Sequence, residues 1–309
     1  MGIIISFYKK LIADKEKSSR AIPMFDYRDL SLNQEPFEFI NSKGIRINYY
    51  FYSKEVKYDN RIILFLPGMA GKGHLAYLRE IDTLCSKGYR VLTLDYTGCG
   101  KSDGKRLTSV FYPTRDAMDL LDYLNLKEEI IIIGHSMGGF TTLNLLYLRK
   151  DIKKGVTISP FLNLKYLLMS FMKSSFVINK ILKYEKKCGG KYFDIDLEEF
   201  LKSTNKNIMF IQSQDDPICK YEYGLGKAIE YNNSHIIPII EEDKKHNPNY
   251  TLDALIYMND CFNTYNYLVK KHKLITYKKQ VAYFKDKSLI KMTEQDNKIW
   301  NQIFLFLEE

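Results

Sequence analysis

Four consecutive isoleucines, Ile130–Ile133, run directly into the sequence Gly134-His135-Ser136-Met137-Gly138. β-branched residues are stiff at their first side-chain torsion, so this run predicts a buried strand and not a helix. The glycines allow a sharp turn from that strand into a helix, which we expect from about Phe140 to Arg149. The segment therefore predicts a sheet in which the Ser136 hydroxyl projects beyond the end of one strand.

Strand and helix signals alternate along most of the chain, which predicts the α/β class. We expect a hairpin with a glycine turn at about 37–51, further strands at 62–66, 91–94, 156–158, 208–211 and 235–240, and helices at about 74–86 and 109–126. The C-terminus predicts an amphipathic helix, because Trp300, Ile303, Phe304 and Leu307 share one helical face. Pro238 indicates that the last strand lies at or near a sheet edge, since proline cannot donate a ladder hydrogen bond.

Residues 160–204 interrupt this alternation with segments rich in Leu, Met and aromatic residues, which we interpret as an inserted helical lid. The chain is accordingly divided into an N-terminal extension (1–35), a first core part (36–159), the lid (160–204) and a second core part (205–309). An apolar lid favours an apolar substrate group, and packing of the lid onto the core would explain the same residues equally well.

A serine hydroxyl needs a general base to become a nucleophile. Among the five histidines, His246 is the best candidate, because it follows the last strand, and catalytic groups gather at the carboxyl ends of strands in open α/β sheets. The strand at 208–211 is followed by Asp215 and Asp216. We choose Asp216 as the acid that orients the histidine and keep Asp215 as its rival. Ser136, Asp216 and His246 are the predicted catalytic residues.

An acyl-transfer site also needs backbone amides that bind the developing negative oxygen. One is the amide of Met137, the residue after the nucleophile, and the second candidate is Met69 in the loop after the strand at 62–66. His74 and Asp215 are candidate pocket residues. The metal motif H-E-x-x-H is absent from the sequence, so we expect neither a metal nor an organic cofactor.

The segment Asp95-Tyr-Thr-Gly98-Cys-Gly100-Lys-Ser102, together with the chain order Ser136, Asp216, His246, resembles the monoglyceride-lipase, lysophospholipase and serine-aminopeptidase-like branch of the α/β-hydrolase superfamily. The resemblance covers roughly residues 36–246 and the final helix. It implies an α/β-hydrolase fold, in which a mostly parallel twisted sheet carries helices on both faces and an inserted helical lid. The three predicted catalytic residues indicate acyl transfer through an acyl-enzyme intermediate, and the apolar lid favours a carboxylic ester with an acyl or lipid-like group over a peptide.

The sequence departs from that branch at three places. Pro67 replaces the histidine that is common before the glycine of the oxyanion loop, and Ser213 stands where a glycine often precedes the acid. Residues 247–292 form a longer segment before the closing helix than family members often have, which suggests an extra lid or docking element.

Three classes of alternative to ester hydrolysis stay open: another hydrolase that uses the same residues, a binding protein without catalysis, and a nucleotide binder. The same three residues would serve a serine peptidase, an amidase or a thioesterase, and the fold also occurs in binding proteins without catalysis. Gly98-Cys-Gly-Lys101-Ser102 looks like the end of a phosphate-binding loop, but Asp95 stands where that motif requires its first glycine, which disfavours a nucleotide binder.

Composition and charge indicate which partners and which cellular compartment to expect. The net charge is +9, but only nine of the 46 basic residues are Arg, the residue favoured for base and phosphate contacts, so no nucleic-acid partner is expected. The five cysteines form no C-x-x-C pair, no apolar run reaches the roughly 18 residues of a membrane span, and the N-terminus lacks signal-peptide features, which together favour a cytoplasmic protein. The start Met1–Ser6 matches a myristoylation pattern, so a weak membrane-surface contact through the N-terminal segment or the lid stays open, as does the oligomeric state.

Overall fold

The computed structural model describes residues 2–12, 23–55 and 60–309. Residues 13–22 of the predicted N-terminal extension therefore lie outside the described residues. The strands are β1 (Asn33–Ile40), β2 (Arg46–Ser53), β3 (Ile62–Leu66), β4 (Arg90–Leu94), β5 (Ile130–His135), β6 (Lys154–Ile158), β7 (Asn207–Ser213) and β8 (Ile236–Glu241). The helices are α1 (Ile3–Leu11), α2 (Leu78–Ser86), α3 (Tyr112–Leu124), α4 (Met137–Leu148), α5 (Leu164–Phe171), α6 (Ser175–Gly189), α7 (Leu197–Ser203), α8 (Leu225–Glu230), α9 (Leu252–Lys270), α10 (Tyr277–Lys285), α11 (Leu289–Met292) and α12 (Asn297–Glu308).

The strands form one sheet in the order β1-β2-β4-β3-β5-β6-β7-β8. The β1–β2 and β2–β4 pairs are antiparallel, and the remaining pairs are parallel. This mostly parallel sheet with helices on both faces confirms the predicted fold class. β8 is the last strand of the sheet, so Pro238 lies on an edge strand, as its missing backbone donor requires.

Strand β5 is buried on both faces, which explains its run of isoleucines. Ile130 and Ile132 belong to the apolar cluster on one face, with residues of α3 and α4. Ile131 and Ile133 belong to the cluster on the other face, with residues of α2 and α12. Since burial of one such side chain contributes about 1.5–3 kcal/mol, this strand anchors both layers of the fold, and Ser136 follows it directly.

Three helix starts differ from the sequence expectation, and one of them is that of α3, which begins at Tyr112 and not at about residue 109. The chain at Gly73–Tyr77 is a 3-10 helix, and α2 begins only at Leu78, because the amide of His74 donates to the Asp95 carboxylate at 3.0 Å. The helix expected from about Phe140 begins at Met137, immediately after Ser136. No residue therefore separates Ser136 from the first residue of α4.

The segment 95–102 folds as tight turns around the Asp95 side chain. Its carboxylate accepts a hydrogen bond from the Lys101 amide at 2.9 Å, and the Ser102 hydroxyl donates to the Asp95 carbonyl at 2.5 Å. No helix begins at Lys101; the next one is α3, at Tyr112. This geometry differs from a phosphate-binding loop, in which a helix starts at the lysine.

Helices α5, α6 and α7 occupy the predicted lid, and α9, α10 and α11 occupy the long segment before the closing helix. The second group has a small apolar core of its own around Cys261, Phe284 and Met292. Helix α1 packs on α6. Among the described helices, none combines the length and the apolar character that a membrane crossing requires.

A buried carboxylate joins α1 and α6 to the core. Glu185 accepts hydrogen bonds from the Tyr8 hydroxyl at 2.6 Å and from the Ser109 hydroxyl at 2.5 Å. Burial raises the pKa of Glu185 to about 7, against the opposing effect of these two bonds. The ordinary carboxyl value is 4.5. Ionising Glu185 in the folded state is therefore unfavourable.

We expect this group to lower the free energy of unfolding by up to about 3 kcal/mol as the pH rises from about 4.5 to about 7, because the native state holds the proton more tightly than the unfolded chain. Glu185→Gln removes the ionisation. Urea unfolding at pH 5 and pH 8 should show the variant more stable than the wild type at pH 8 only. The exposed Glu230→Gln serves as the control, and equal pH slopes for Glu185→Gln and the wild type would contradict this account.

Candidate active site

Ser136 occupies a strained turn between β5 and α4. Its backbone has φ 55° and ψ −117°, a region that costs a non-glycine residue on the order of 1–3 kcal/mol. The Ser136 amide donates to the carbonyl of Ile158 on β6 at 2.8 Å, and its carbonyl accepts from the Phe140 amide at 3.0 Å. The sheet and the helix together hold the residue in this conformation.

The glycines on either side of Ser136 are required by close backbone approach. A Cβ atom on Gly138 would collide with the carbonyl group of Leu66, at the end of β3. A Cβ atom on Gly134 would collide with the carbonyl of Gly138. Any side chain at these two positions would push α4 away from the sheet and move Ser136.

His246 and Asp216 form a hydrogen-bonded pair at the carboxyl end of the sheet. The Asp216 Oδ2 atom lies 2.8 Å from His246 Nδ1, and its Oδ1 accepts from the amides of Ile218 at 2.8 Å and Cys219 at 3.0 Å. Because both carboxylate oxygens are engaged, the carboxylate is held in one orientation. The Nδ1 side of the ring is therefore occupied by the carboxylate, and Nε2 is the ring nitrogen left for another partner.

Asp215, expected in the pocket or as the rival acid, contacts the loop that carries His246 instead. Its carboxylate accepts from the Ser213 hydroxyl at 2.6 Å, from the Lys245 amide at 3.0 Å and from the Lys245 ammonium at 2.6 Å. Burial alone would raise the pKa of Asp215, but these bonds outweigh it and lower the pKa. Asp215 thus fastens the loop, and Ser213 takes part where the family often has glycine.

His135 makes contacts at the site that the sequence did not predict. Its Nε2 atom donates to the backbone carbonyl of His246 at 2.8 Å, and its Nδ1 accepts from the Tyr77 hydroxyl at 3.0 Å. Burial, with a smaller contribution from His246, lowers the pKa of His135 to about 3, so the ring is neutral at physiological pH. The only sequence signal was its position next to Ser136, which by itself gave no partner.

His135 links the two residues, because it directly precedes Ser136 in the chain and its ring is hydrogen-bonded to the His246 backbone. Among the described residues no hydrogen bond joins the Ser136 hydroxyl to the His246 ring. The ring centroids of His135 and His246 are 5.0 Å apart, so the residue directly before Ser136 packs against the imidazole. Nucleophile–base hydrogen bonds are often long without substrate and tighten when it binds.

The loop after β3 lies against Ser136. A Cβ atom on Gly68 would be 3.3 Å from the Ser136 Cβ atom, and the Tyr96 hydroxyl donates to the Pro67 carbonyl at 3.1 Å. This bond holds the loop although Pro67 replaces the usual histidine. Met137 follows Ser136 in the first turn of α4, where amides lack helical acceptors, and Met69 follows Gly68 in the loop after β3.

Asp216, Cys219 and His246 are also the described residues whose donor atoms cluster as a metal site would require, all within 4.8 Å of one another. Asp216 and His246 are already bonded to each other. Burial, with a smaller contribution from the Asp216 carboxylate, raises the pKa of the Cys219 thiol well above its ordinary value. The thiol is therefore a weak ligand, and the hydrogen-bonded pair accounts for the cluster.

A small cavity beside this pair is lined by Phe161, Leu167 and Cys219, among others. Its volume is about 10 Å³, room for about one water molecule. Leu167 belongs to α5 of the predicted lid. His74, the other candidate pocket residue, lines a different and larger cavity, with its ring bonded to Asp95 at 2.8 Å.

Comparison with known proteins places the chain in a family. Residues 59–222, more than half of the chain, match the family model described as serine aminopeptidase, S33. Proline iminopeptidase of Saccharolobus solfataricus is 31% identical over 121 residues, which cover 38% of each chain. The lysophosphatidylserine lipase ABHD12 of Bos taurus is 26% identical over 192 residues, 56% of this chain and 46% of the relative. The chain thus spans less than half the length of these two relatives.

Solved structures resemble it in fold. An esterase of Pyrococcus furiosus, Pf2001, superposes with a TM-score of 0.59 at 20% sequence identity. The superposed part covers 82% of this chain and 98% of the esterase chain. Est1E of Butyrivibrio proteoclasticus, bound to ferulic acid, gives a TM-score of 0.53 at 18% identity, over 71% of this chain and 94% of its own. With its sheet order and the match over residues 59–222, the chain belongs to the serine aminopeptidase S33 family of the α/β-hydrolase superfamily.

Proposed function

We propose that this protein is a serine hydrolase that cleaves carboxylic esters with an acyl or lipid-like group. One observation carries the proposal: the Asp216–His246 hydrogen bond of 2.8 Å lies at the carboxyl ends of the parallel strands, the same end of the sheet at which Ser136 is held in a strained turn. An imidazole oriented by a carboxylate, at the same end of the sheet as a serine in a strand-to-helix turn, is the arrangement that activates a hydroxyl for acyl transfer.

In the proposed mechanism the Ser136 hydroxyl attacks the ester carbonyl while His246 Nε2 takes its proton. The amides of Met69 and Met137 bind the oxyanion, and Asp216 stabilises the imidazolium that forms. His246 then gives its proton to the leaving alcohol, which leaves the acyl group on Ser136. A water molecule gives a proton to His246 as it attacks the acyl-enzyme carbonyl, and His246 returns that proton to the Ser136 oxygen as the bond to the acyl group breaks and the carboxylic acid is released. The balance is ester and water to acid and alcohol.

His135 acts as a positioning residue for His246 in this scheme. We expect His135→Ala to lower kcat by about 100-fold with little change in KM, because a shift of about 1 Å in a catalytic group has an effect of that size. His135→Gln can still donate to the His246 carbonyl and should recover most of the loss. Steady-state kinetics test this, with melting temperatures as a check on folding. Equal losses in both variants would contradict a positioning role.

The lid and the relatives both bear on the substrate class. The residues that line the small cavity beside Asp216 include Phe161 and Leu167, which suit an apolar acyl group. Because that cavity has room for about one water, we expect α5 to move when an acyl group enters it. The name lysophosphatidylserine lipase among the relatives supports an ester, whereas proline iminopeptidase supports an amide substrate. Peptidase or amidase activity is therefore the second candidate, with thioester hydrolysis on the same residues.

Hydrolysis of p-nitrophenyl esters from acetate to palmitate, compared with aminoacyl p-nitroanilides, tests the choice. We expect measurable kcat/KM on the esters with an optimum at one acyl length. We expect the amides to be hydrolysed at least about 100-fold more slowly. Activity confined to aminoacyl amides would replace the ester proposal by the peptidase one, and activity on neither class would leave the binding-protein alternative.

A further inference from the structure

Helix α1 exposes an apolar stripe. Ile3, Phe7 and Leu11 follow one another at intervals of four residues, so they lie on one side of the helix. Their exposed fractions are 90%, 59% and 52%. The opposite side of α1 is packed, because Tyr8 is buried there and its hydroxyl donates to Glu185 of α6 at 2.6 Å. The stripe is therefore the outer face of a helix that is held against the rest of the fold.

Helix α6, on which α1 packs, exposes a basic stripe beside it. Lys180, Lys183 and Lys187 are exposed and recur at intervals of three and four residues, so they lie on one side of α6. Tyr184 marks the place where α1 meets this helix, because its ring lies 6.2 Å, centroid to centroid, from the Tyr8 ring. Lys180 and Lys187 lie one helical turn before and after Tyr184, so the basic stripe runs beside α1.

The charge of these two helices has one sign. Helix α1 has two lysines and α6 has four, and Glu185 is the single acidic residue on either helix. Glu185 is buried, and Asp194, which follows α6, pairs with Lys186 at 3.1 Å. Neither carboxylate therefore neutralises the basic stripe. We call the surface formed by both stripes the α1–α6 face; its residues are Ile3, Phe7, Leu11, Lys180, Lys183 and Lys187.

An apolar stripe bordered by lysines matches the chemistry of a lipid surface. Helices that lie in a membrane interface have large apolar residues on one side and lysines next to them, and anionic headgroups attract the lysines. We propose that the α1–α6 face docks on an anionic lipid bilayer. The apolar stripe then contacts the upper part of the acyl chains, and the basic stripe lies at the headgroups.

Two other occupants fit this face less well. In a two-fold dimer the same surface meets itself, so the lysines of the two copies would come together with no exposed carboxylate between them. A nucleic acid would leave the apolar stripe without a partner, and neither helix carries an arginine. Charge and apolar exposure together therefore favour the lipid surface.

The α1–α6 face lies next to the predicted lid. Helix α5 packs on α6, and Leu167 of α5 lines the small cavity beside Asp216. Docking would thus bring α5 to a bilayer that holds a lipid-like ester, a consequence that rests on the proposed function. We expect Phe7→Ser to lower hydrolysis of a long-chain ester carried in vesicles by about tenfold, in step with its loss of binding. Hydrolysis of dissolved p-nitrophenyl acetate should stay unchanged.

Co-sedimentation of the full-length protein with vesicles tests the face, using phosphatidylcholine alone or with about 30% phosphatidylserine. We expect at least about tenfold tighter binding to the anionic vesicles, and weaker binding as the salt concentration rises from about 0.05 M to about 0.5 M. Phe7→Ser should weaken binding roughly tenfold, because one large apolar side chain no longer enters the interface. Lys183→Gln combined with Lys187→Gln should weaken binding to the anionic vesicles by at least about tenfold.

Ile275→Ser is the matched control. Ile275 is 70% exposed and has lysines near it in the sequence, but it lies in the segment between α9 and α10. This variant should bind vesicles as the wild type does, and the melting temperatures of all variants should be alike, because each replaced side chain is exposed.

Three results would overturn the proposal. They are a wild type that binds no vesicles, Phe7→Ser binding that equals the wild type, and an equal loss in Ile275→Ser. Light scattering without vesicles adds a fourth: a dimer that Phe7→Ser abolishes would assign the face to a second copy of the chain. A protein that docks on vesicles but hydrolyses no ester would refute the proposed function and leave the docking proposal standing.

Discussion

Ser136→Ala is expected to lower kcat for ester hydrolysis by about 10⁵- to 10⁶-fold, because no other group can form the acyl-enzyme. The oxyanion amides and substrate binding would leave a small residual rate. Covalent labelling by a fluorophosphonate probe, read by intact mass, should disappear in the same variant. Alanine and serine suffer similar strain at φ 55°, so the melting temperature should change little.

The chain offers a matched control in Ser159. This serine also follows a strand, has φ 46°, and donates its amide to the next strand at Ile211 at 2.8 Å. Its buried hydroxyl has no hydrogen-bond partner. Ser159→Ala should keep activity and labelling. Labelling that persists in Ser136→Ala would exclude Ser136 as the nucleophile, and a folded wild type that never labels would favour a binding protein.

Asp216→Asn is expected to lower kcat by about 10⁴-fold, because an asparagine can present its NH₂ group to His246 and stabilise the wrong tautomer. The carboxylate also stabilises the imidazolium, which an amide does less well. Binding should change less than turnover, since Asp216 contacts the imidazole and two backbone amides. The p-nitrophenyl assay measures both kcat and KM.

Asp215→Asn is the adjacent control. Its carboxylate bonds Ser213 and Lys245, so the change should loosen the loop and reduce kcat by less than about tenfold. Melting temperatures of the two variants show whether either change disturbs the fold. A larger kcat loss in Asp215→Asn than in Asp216→Asn would reverse the two assignments.

The local sequence was enough to predict the strands of the sheet and the turn at Ser136. The isoleucine run predicted a strand buried on both faces, and the structure confirms it with Ile130 and Ile131 in opposite apolar clusters. Pro238 predicted an edge strand because proline has no backbone N–H group to donate to a neighbouring strand. The two glycines around Ser136 predicted a tight turn. These features depend on neighbours in the chain, so a linear pattern can specify them.

The site depended on contacts between distant segments. Asp215 and Asp216 have the same chemistry and adjacent positions, and only the path of the loop after β8 places one against the His246 ring and the other against Lys245. The same loop brings the His246 carbonyl to His135, 111 residues earlier in the chain. His74 was predicted from its loop to lie in the pocket, but its ring is bonded to Asp95 and lines a different and larger cavity.

The physical reason is the range of the interactions. Strand, turn and edge preferences arise from backbone sterics and from burial patterns within a few residues, which the sequence alone determines. Orientation of a catalytic ring arises from hydrogen bonds whose partners are brought together only when the sheet is assembled. For this protein the sequence determined the strands of the sheet and the turn at Ser136, and the tertiary structure decided which acid, which histidine and which loop meet.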